Sequence, residues 1–183
     1  AKKVKDIKDD LAEKEKQFAE NMEEAWKKEH LETLKDNLSE RKDILDRYSK
    51  SLDILDSSLK LIDGNDFESQ STLLNQKMQQ STAYASALKD EFERVSQIIP
   101  QTGEEAQELA DRLENLGSEM RSNTENMREA LIEVTKLRFN MLSAIGESAF
   151  ESLNREFDNL DKRIESLTSG DSYAYRHVNE LMD

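Results

Sequence analysis

Apolar side chains recur by threes, fours and sevens through most of this chain, with polar residues filling the intervals. Over residues 1–62 the series is Val4, Ile7, Leu11, Phe18, Met22 and Trp26, then Leu45, Leu52, Leu55, Leu59 and Ile62. Such spacing is that of an amphipathic helix, and neither Gly nor Pro interrupts it. The pattern predicts one helix over 1–62, roughly 93 Å long at 1.5 Å per residue. Its polar positions mix Lys with Asp and Glu, as at Asp6, Asp9, Asp10 and Lys14, which suits solvent.

Asp63-Gly64-Asn65-Asp66 breaks the pattern. Gly64 can take the left-handed conformation that ends a helix. Asn65 is expected to cap the next helix, with Glu68 as the reciprocal partner three residues on. That second helix is predicted from about Asp66 to Ile98. Phe67, Leu74, Met78, Ala85, Leu88, Phe92, Val95 and Ile99 give the cleanest heptad series in the chain and demand apolar neighbours. The middle, from Gln70 to Ser86, is rich in Gln, Ser and Thr and is expected to pack least tightly.

Pro100 ends this helix by pushing Ile99 out of helical geometry. Thr102-Gly103-Glu104-Glu105 then reads as a capping box with Thr102 as the cap. From there to Leu167 no proline intervenes, and Leu109, Leu113, Leu116, Met120, Met127, Leu131, Val134 and Met141 keep helical spacing. Ile145, Ala149, Leu153 and Phe157 follow at constant steps of four, and then come Leu160, Ile164 and Leu167. Steps of four rotate an apolar stripe around its helix, so partners before Met141 and after Phe157 would differ. The expectation is one long helix over 102–167, with Gly146 leaving a local bend open. Ser169-Gly170-Asp171-Ser172 is a further break, and a last helix begins near Ser172 with Tyr173, Val178 and Leu181.

The first helix has an echo 105 residues later: Val4 falls on Leu109, Leu11 on Leu116, Met22 on Met127 and Leu45 on Phe150. Ile7 and Phe18 miss, landing on Arg112 and Asn123. A multiple of seven favours such matches by itself. The recurrence of a glycine turn carries more weight: with one residue inserted, Gly64 meets Gly170. This order of long helix, turn, shorter helix, proline turn and long helix resembles the spectrin-repeat family, in which antiparallel three-helix bundles join through a continuous helix. The resemblance implies an all-α fold, a spectrin-like antiparallel three-helix bundle with long helices continuous between adjacent repeats. It divides the chain into the third helix of a preceding partial repeat (1–39), a complete repeat (40–140) and the start of the following one (141–183). The family often places a tryptophan in its third helix, and Trp26 falls there. The resemblance also implies an intracellular, cytoskeleton-associated protein, a nuclear-envelope linker being one form, with cytoskeletal or scaffold proteins as partners.

Charge narrows the partners. The net charge is −14, which repels nucleic-acid backbones and disfavours anionic lipid. Residues 1–62 hold 14 basic and 16 acidic groups, whereas the remainder holds 12 and 24, so the first helix is nearly balanced and the rest strongly acidic. The absence of cysteine excludes disulfides and thiol chemistry and suits a reducing compartment. No apolar run reaches the roughly 20 residues needed to span a bilayer, and no signal peptide is visible. The pattern is already under way at Ala1 and still running at Leu181, as expected of cuts in a longer polypeptide.

Candidate chemistry is sparse. His30 has Trp26 and Leu34 four residues away on either side, not ligands, and His177 is no stronger. Paired carboxylates such as Asp9-Asp10 and Glu104-Glu105 fall on wet helix faces rather than in a cleft. Phosphate loops and nucleophile elbows do not occur. No catalytic residue, cofactor or metal is therefore expected. The candidate residues are for protein interaction: Leu11, Phe18, Met22 and Trp26 at one end, and Leu153, Phe157 and Leu160 at the other. Their bundle partners would lie outside this chain, which predicts self-association or fraying of both arms. Trp26 fits a core knob in a bundle seam better than an exposed anchor, and the methionines fit gap-filling in the same seams. The function expected is a non-catalytic structural or scaffold rod segment of a larger protein. The alternative is a lipid-associating or membrane-shaping amphipathic bundle, whose polar face should be basic rather than acidic.

Overall fold

The computed structural model describes residues 2–145 and, beyond them, Glu151, Arg155, Asp158, Asn159 and Lys162. Three helices account for almost all of it: α1 (Lys2–Leu61), α2 (Phe67–Ser96) and α3 (Gly103–Ile145). α1 and α3 run parallel, and α2 returns between them. The register is fixed by cross-helix contacts at three levels. Lys35 of α1 pairs with Glu108 of α3 at 3.6 Å. Tyr48 stacks on Tyr84 of α2 at 5.8 Å between ring centroids. Near the far end, Lys77 of α2 lies between Asp56 of α1 and Glu133 of α3.

The core follows the heptads. Leu38, Leu45 and Leu52 of α1 meet Leu74, Met78, Ala85, Leu88, Phe92 and Val95 of α2 and Leu109, Leu116, Met120, Met127, Val134 and Met141 of α3. Each fully buried large side chain contributes about 1.5–3 kcal/mol over leaving it exposed. Ile99 lies past the end of α2 and is exposed, whereas Phe67, Leu113 and Leu131 pack half-buried against the core. Arg112 and Asn123, where the 105-residue echo misses, are themselves buried in the α3 seam.

The turns differ in detail from expectation. Asp66, not Asn65, caps α2: its carboxylate accepts from the Ser69 N–H at 3.1 Å. Asn65 is drawn into the turn instead, donating its N–H to Asp63 Oδ1 at 2.8 Å. The hydrogen bond holds the Asp66 carboxyl below the usual aspartate range. Gly64 does not adopt left-handed backbone, and a Cβ there would meet nothing within 4 Å. At the second turn Thr102 caps the helix as expected, but Glu105 reaches back to the N–H of Gln101 rather than to that of Thr102. Thr102 Oγ1 accepts from the Glu105 N–H at 3.1 Å, and Glu105 Oε2 accepts from the Gln101 N–H at 2.6 Å.

The Gln/Ser/Thr-rich middle of α2 is not loosely packed. Ser71, Leu74, Lys77, Met78, Ser81, Tyr84 and Ala85 are all buried. Lys77 reaches carboxylates on both neighbouring helices and the Ser81 carbonyl accepts from Asn123, so polarity there does not mean exposure.

The expected helix over 102–167 requires a larger correction. Arg138 Nη2 lies 3.2 Å from Asp158 Oδ1. A straight helix would separate these positions by about 30 Å at 1.5 Å per residue. Asp158 instead lies beside α3, so α3 does not run on as an unbroken rod to that point. The turn at Ser169-Gly170 and the last helix lie outside the described residues.

Candidate interaction surface

α1 is longer than the bundle it belongs to. From Leu34 onward one stripe of it, through Leu38, Leu45, Tyr48, Leu52 and Leu59, packs into or against the core. From Asp10 to His30 every side chain is exposed. This arm carries Leu11, Phe18, Met22 and Trp26, which are 46–68% exposed. Within this chain Trp26 is not packed in a seam. No described element lies beside the arm, and the indole rests on the His30 ring one turn on, 4.4 Å between centroids and tilted by 43°. His30 thus has an aromatic neighbour rather than a ligand set. Among the described residues no group of three or more His, Cys, Asp or Glu could hold a metal ion.

The arm's apolar stripe is not a continuation of the bundle stripe. At 100° per residue, Leu11, Phe18, Met22 and Trp26 sit roughly 145° around the helix from Leu38, Leu45 and Leu52. One helix therefore presents two apolar faces in series, one filled by α2 and α3 and one open. The flanks of the open face carry ion pairs four residues apart, Asp10–Lys14 at 2.9 Å, Lys16–Glu20 at 3.7 Å and Glu23–Lys27. Each braces helix that has no tertiary neighbour among the described residues. The hydrogen bond to Lys27 lowers the Glu23 carboxyl below the ordinary glutamate range and raises the Lys27 ammonium above its own.

Leu153, Phe157 and Leu160, the other predicted interaction residues, lie outside the described residues. The structure therefore groups Leu11, Phe18, Met22 and Trp26 on one arm and places no described contact on the second set.

The bundle also holds polar layers that the apolar pattern does not reveal. Asn123 Nδ2 donates to the Ser81 carbonyl at 3.0 Å, joining α3 to α2 inside the core. One level away, Tyr84 Oη donates to Glu119 at 3.1 Å, and Arg112 lies 3.9 Å from the same carboxylate. Burial raises the Tyr84 phenol well above its ordinary value, and the Glu119 charge adds to this. The signal for these layers was available. Met120 and Met127 leave one heptad position between them, and Asn123 fills it; Ser81 fills the same gap between Met78 and Ala85. A polar residue at an apolar heptad position marks register.

Comparison with family models, with curated proteins and with solved structures finds no match to this chain. Among the described residues no helix is long and apolar enough to cross a membrane.

Proposed function

We propose that this chain is a non-catalytic structural segment of a larger protein of the cytoskeletal or scaffold kind. The three-helix bundle acts as a spacer and the α1 arm as a docking face for apolar helical partners. The observation that carries the reading is the continuity of α1 between two differently oriented apolar faces. A helix locked into its bundle from Leu38 to Leu52 fixes the direction of the arm, so a partner on Phe18 and Met22 is held at a set distance and angle. The resemblance to spectrin-repeat order supports the shared use of α1, while the Arg138–Asp158 contact departs from it at the other end.

Trp26, the only tryptophan, reports on this directly. Its emission is expected at the wavelength of a hydrated indole in dilute solution and to move to the blue as the stripe is covered at high concentration or by a partner helix. Emission already blue-shifted at the lowest concentration, and unchanged thereafter, would oppose an open face.

A further inference from the structure

We infer that the open face of the α1 arm selects a basic amphipathic helix of another protein, one that carries Lys or Arg within its apolar seam. This rests on the reading of the arm as a docking face and names the partner's chemistry. Leu11, Phe18, Met22 and Trp26 occupy an arc of roughly 80° on the helical wheel. Glu15 and Glu29 fall inside that same arc, one turn before Phe18 and about one turn after Trp26. Both are exposed, and neither carboxylate has an ion-pair partner among the described residues. The arm's lysines do not serve them. Lys14, Lys16 and Lys27 lie against Asp10, Glu20 and Glu23, and Lys28 sits roughly 115° around the wheel from the centre of the stripe.

The order of residues along the face decides against a second copy as the fitting occupant. Glu15, Phe18, Met22, Trp26 and Glu29 are placed symmetrically about Met22. Two arms packed parallel set Glu15 against Glu15 and Glu29 against Glu29. Packed antiparallel about Met22, they set Glu15 against Glu29 at both ends. Both self-pairings that cover Phe18, Met22 and Trp26 together therefore oppose like charges, which confines self-association to high concentration. A partner stripe without cations would strip water from both carboxylates and put nothing in its place. A helix with two cations fourteen residues apart, about 21 Å along its axis, and apolar side chains between them pairs with both carboxylates. The symmetry about Met22 lets it do so in either direction.

Two synthetic helical peptides of identical composition make the test on the full chain. One carries Leu at the seam positions between two seam Lys fourteen residues apart; the other carries the same two Lys on its opposite face. Trp26 emission reads the binding of each. The seam-Lys peptide is expected to bind about tenfold more tightly, the effect of two exposed ion pairs. Glu15→Gln with Glu29→Gln should abolish that preference and strengthen self-association in sedimentation. Glu13→Gln with Glu24→Gln removes as much charge from the far side of the helix and should change neither. Phe18→Glu with Met22→Glu makes the arm more acidic and should still lose both peptides. Equal affinity for the two peptides, with the blue shift intact, would overturn the charge selection and leave the docking face standing. No blue shift with either peptide at any concentration would remove the docking face itself and this inference with it. Tighter binding by the Phe18→Glu, Met22→Glu variant would reduce the attraction to net charge and overturn the inference equally.

Discussion

Lys77 Nζ of α2 lies 2.6 Å from Asp56 Oδ1 of α1, with the ammonium almost wholly buried and the carboxylate partly open to solvent. Glu133 of α3 approaches the same ammonium at 3.7 Å. One cation thus holds all three helices at a single level. An apolar side chain would accept several registers there, but a buried ammonium accepts only the one that supplies carboxylates.

The cost of disturbing this level should depend on which partner is removed. Lys77→Met leaves two carboxylates that can hydrate and is expected to change stability by less than about 1 kcal/mol. Removing both carboxylates, Asp56→Ala with Glu133→Ala, strands the buried ammonium and is expected to cost about 3 kcal/mol. Urea unfolding midpoints of the variants check the order; equal losses would argue that the pairing is incidental.

Truncations should separate the arm from the bundle. Leu88 is fully buried, so Leu88→Ala is expected to cost about 2–5 kcal/mol. Phe18 is 68% exposed, so Phe18→Ala should stay within about 0.5 kcal/mol. Thermal unfolding of a dilute sample makes the comparison. A large loss for Phe18→Ala would place the arm inside a folded core.

At the first turn, Gly64→Ala is expected to stabilise by about 0.4–1 kcal/mol, because the backbone there suits any residue and a methyl group meets nothing. At the second turn, Thr102→Ala removes the acceptor for the Glu105 N–H and is expected to cost about 1 kcal/mol. Denaturant midpoints decide both signs.

Two groups give opposite pH trends. The Asp66 carboxyl titrates lower in the fold than in the unfolded chain, so its stabilisation is present above the ordinary aspartate value of 3.8 and is lost as pH falls below it. The destabilisation caused by Asp66→Ala should therefore shrink in acid. The Tyr84 phenol is raised by burial, so its contribution is complete below the ordinary value of 10.0 and is lost as pH climbs above that. Tyr84→Phe should blunt the alkaline fall in melting temperature. Identical pH profiles for variant and parent would remove either assignment.

Much of the fold was legible because α1, α2 and the start of α3 carry uninterrupted helical spacing and their breaks hold Gly64 and Pro100. The Thr102 cap was legible because its partner Glu105 stands at the required interval. Asp66 outcompetes Asn65 as a cap because Asp63 captures the Asn65 N–H, a choice that depends on turn geometry. The buried Ser81 and Lys77 were hidden by a reading that equated polarity with looseness. The rotation of the arm's stripe was concealed because gaps of three, four and seven can accumulate drift without breaking the pattern. The run of fours from Met141 to Phe157 carried the opposite risk: such spacing suits a continuous helix and a chain that returns beside α3 equally well. Only the meeting of Arg138 with Asp158 distinguishes them.

An acidic surface should keep the chain off anionic membranes. Flotation with phosphatidylserine vesicles at low salt is expected to leave it in the unbound fraction, given a net charge of −14. Stable co-flotation would favour the lipid-associating alternative.

Sedimentation equilibrium of the parent chain beside a Phe18→Glu, Met22→Glu variant tests the docking face most directly. The expected result is concentration-dependent association of the parent and a monomeric variant with an unchanged urea midpoint. A parent that stays monomeric at every concentration, with amides 10–33 as protected from exchange as those of 34–61, would contradict it.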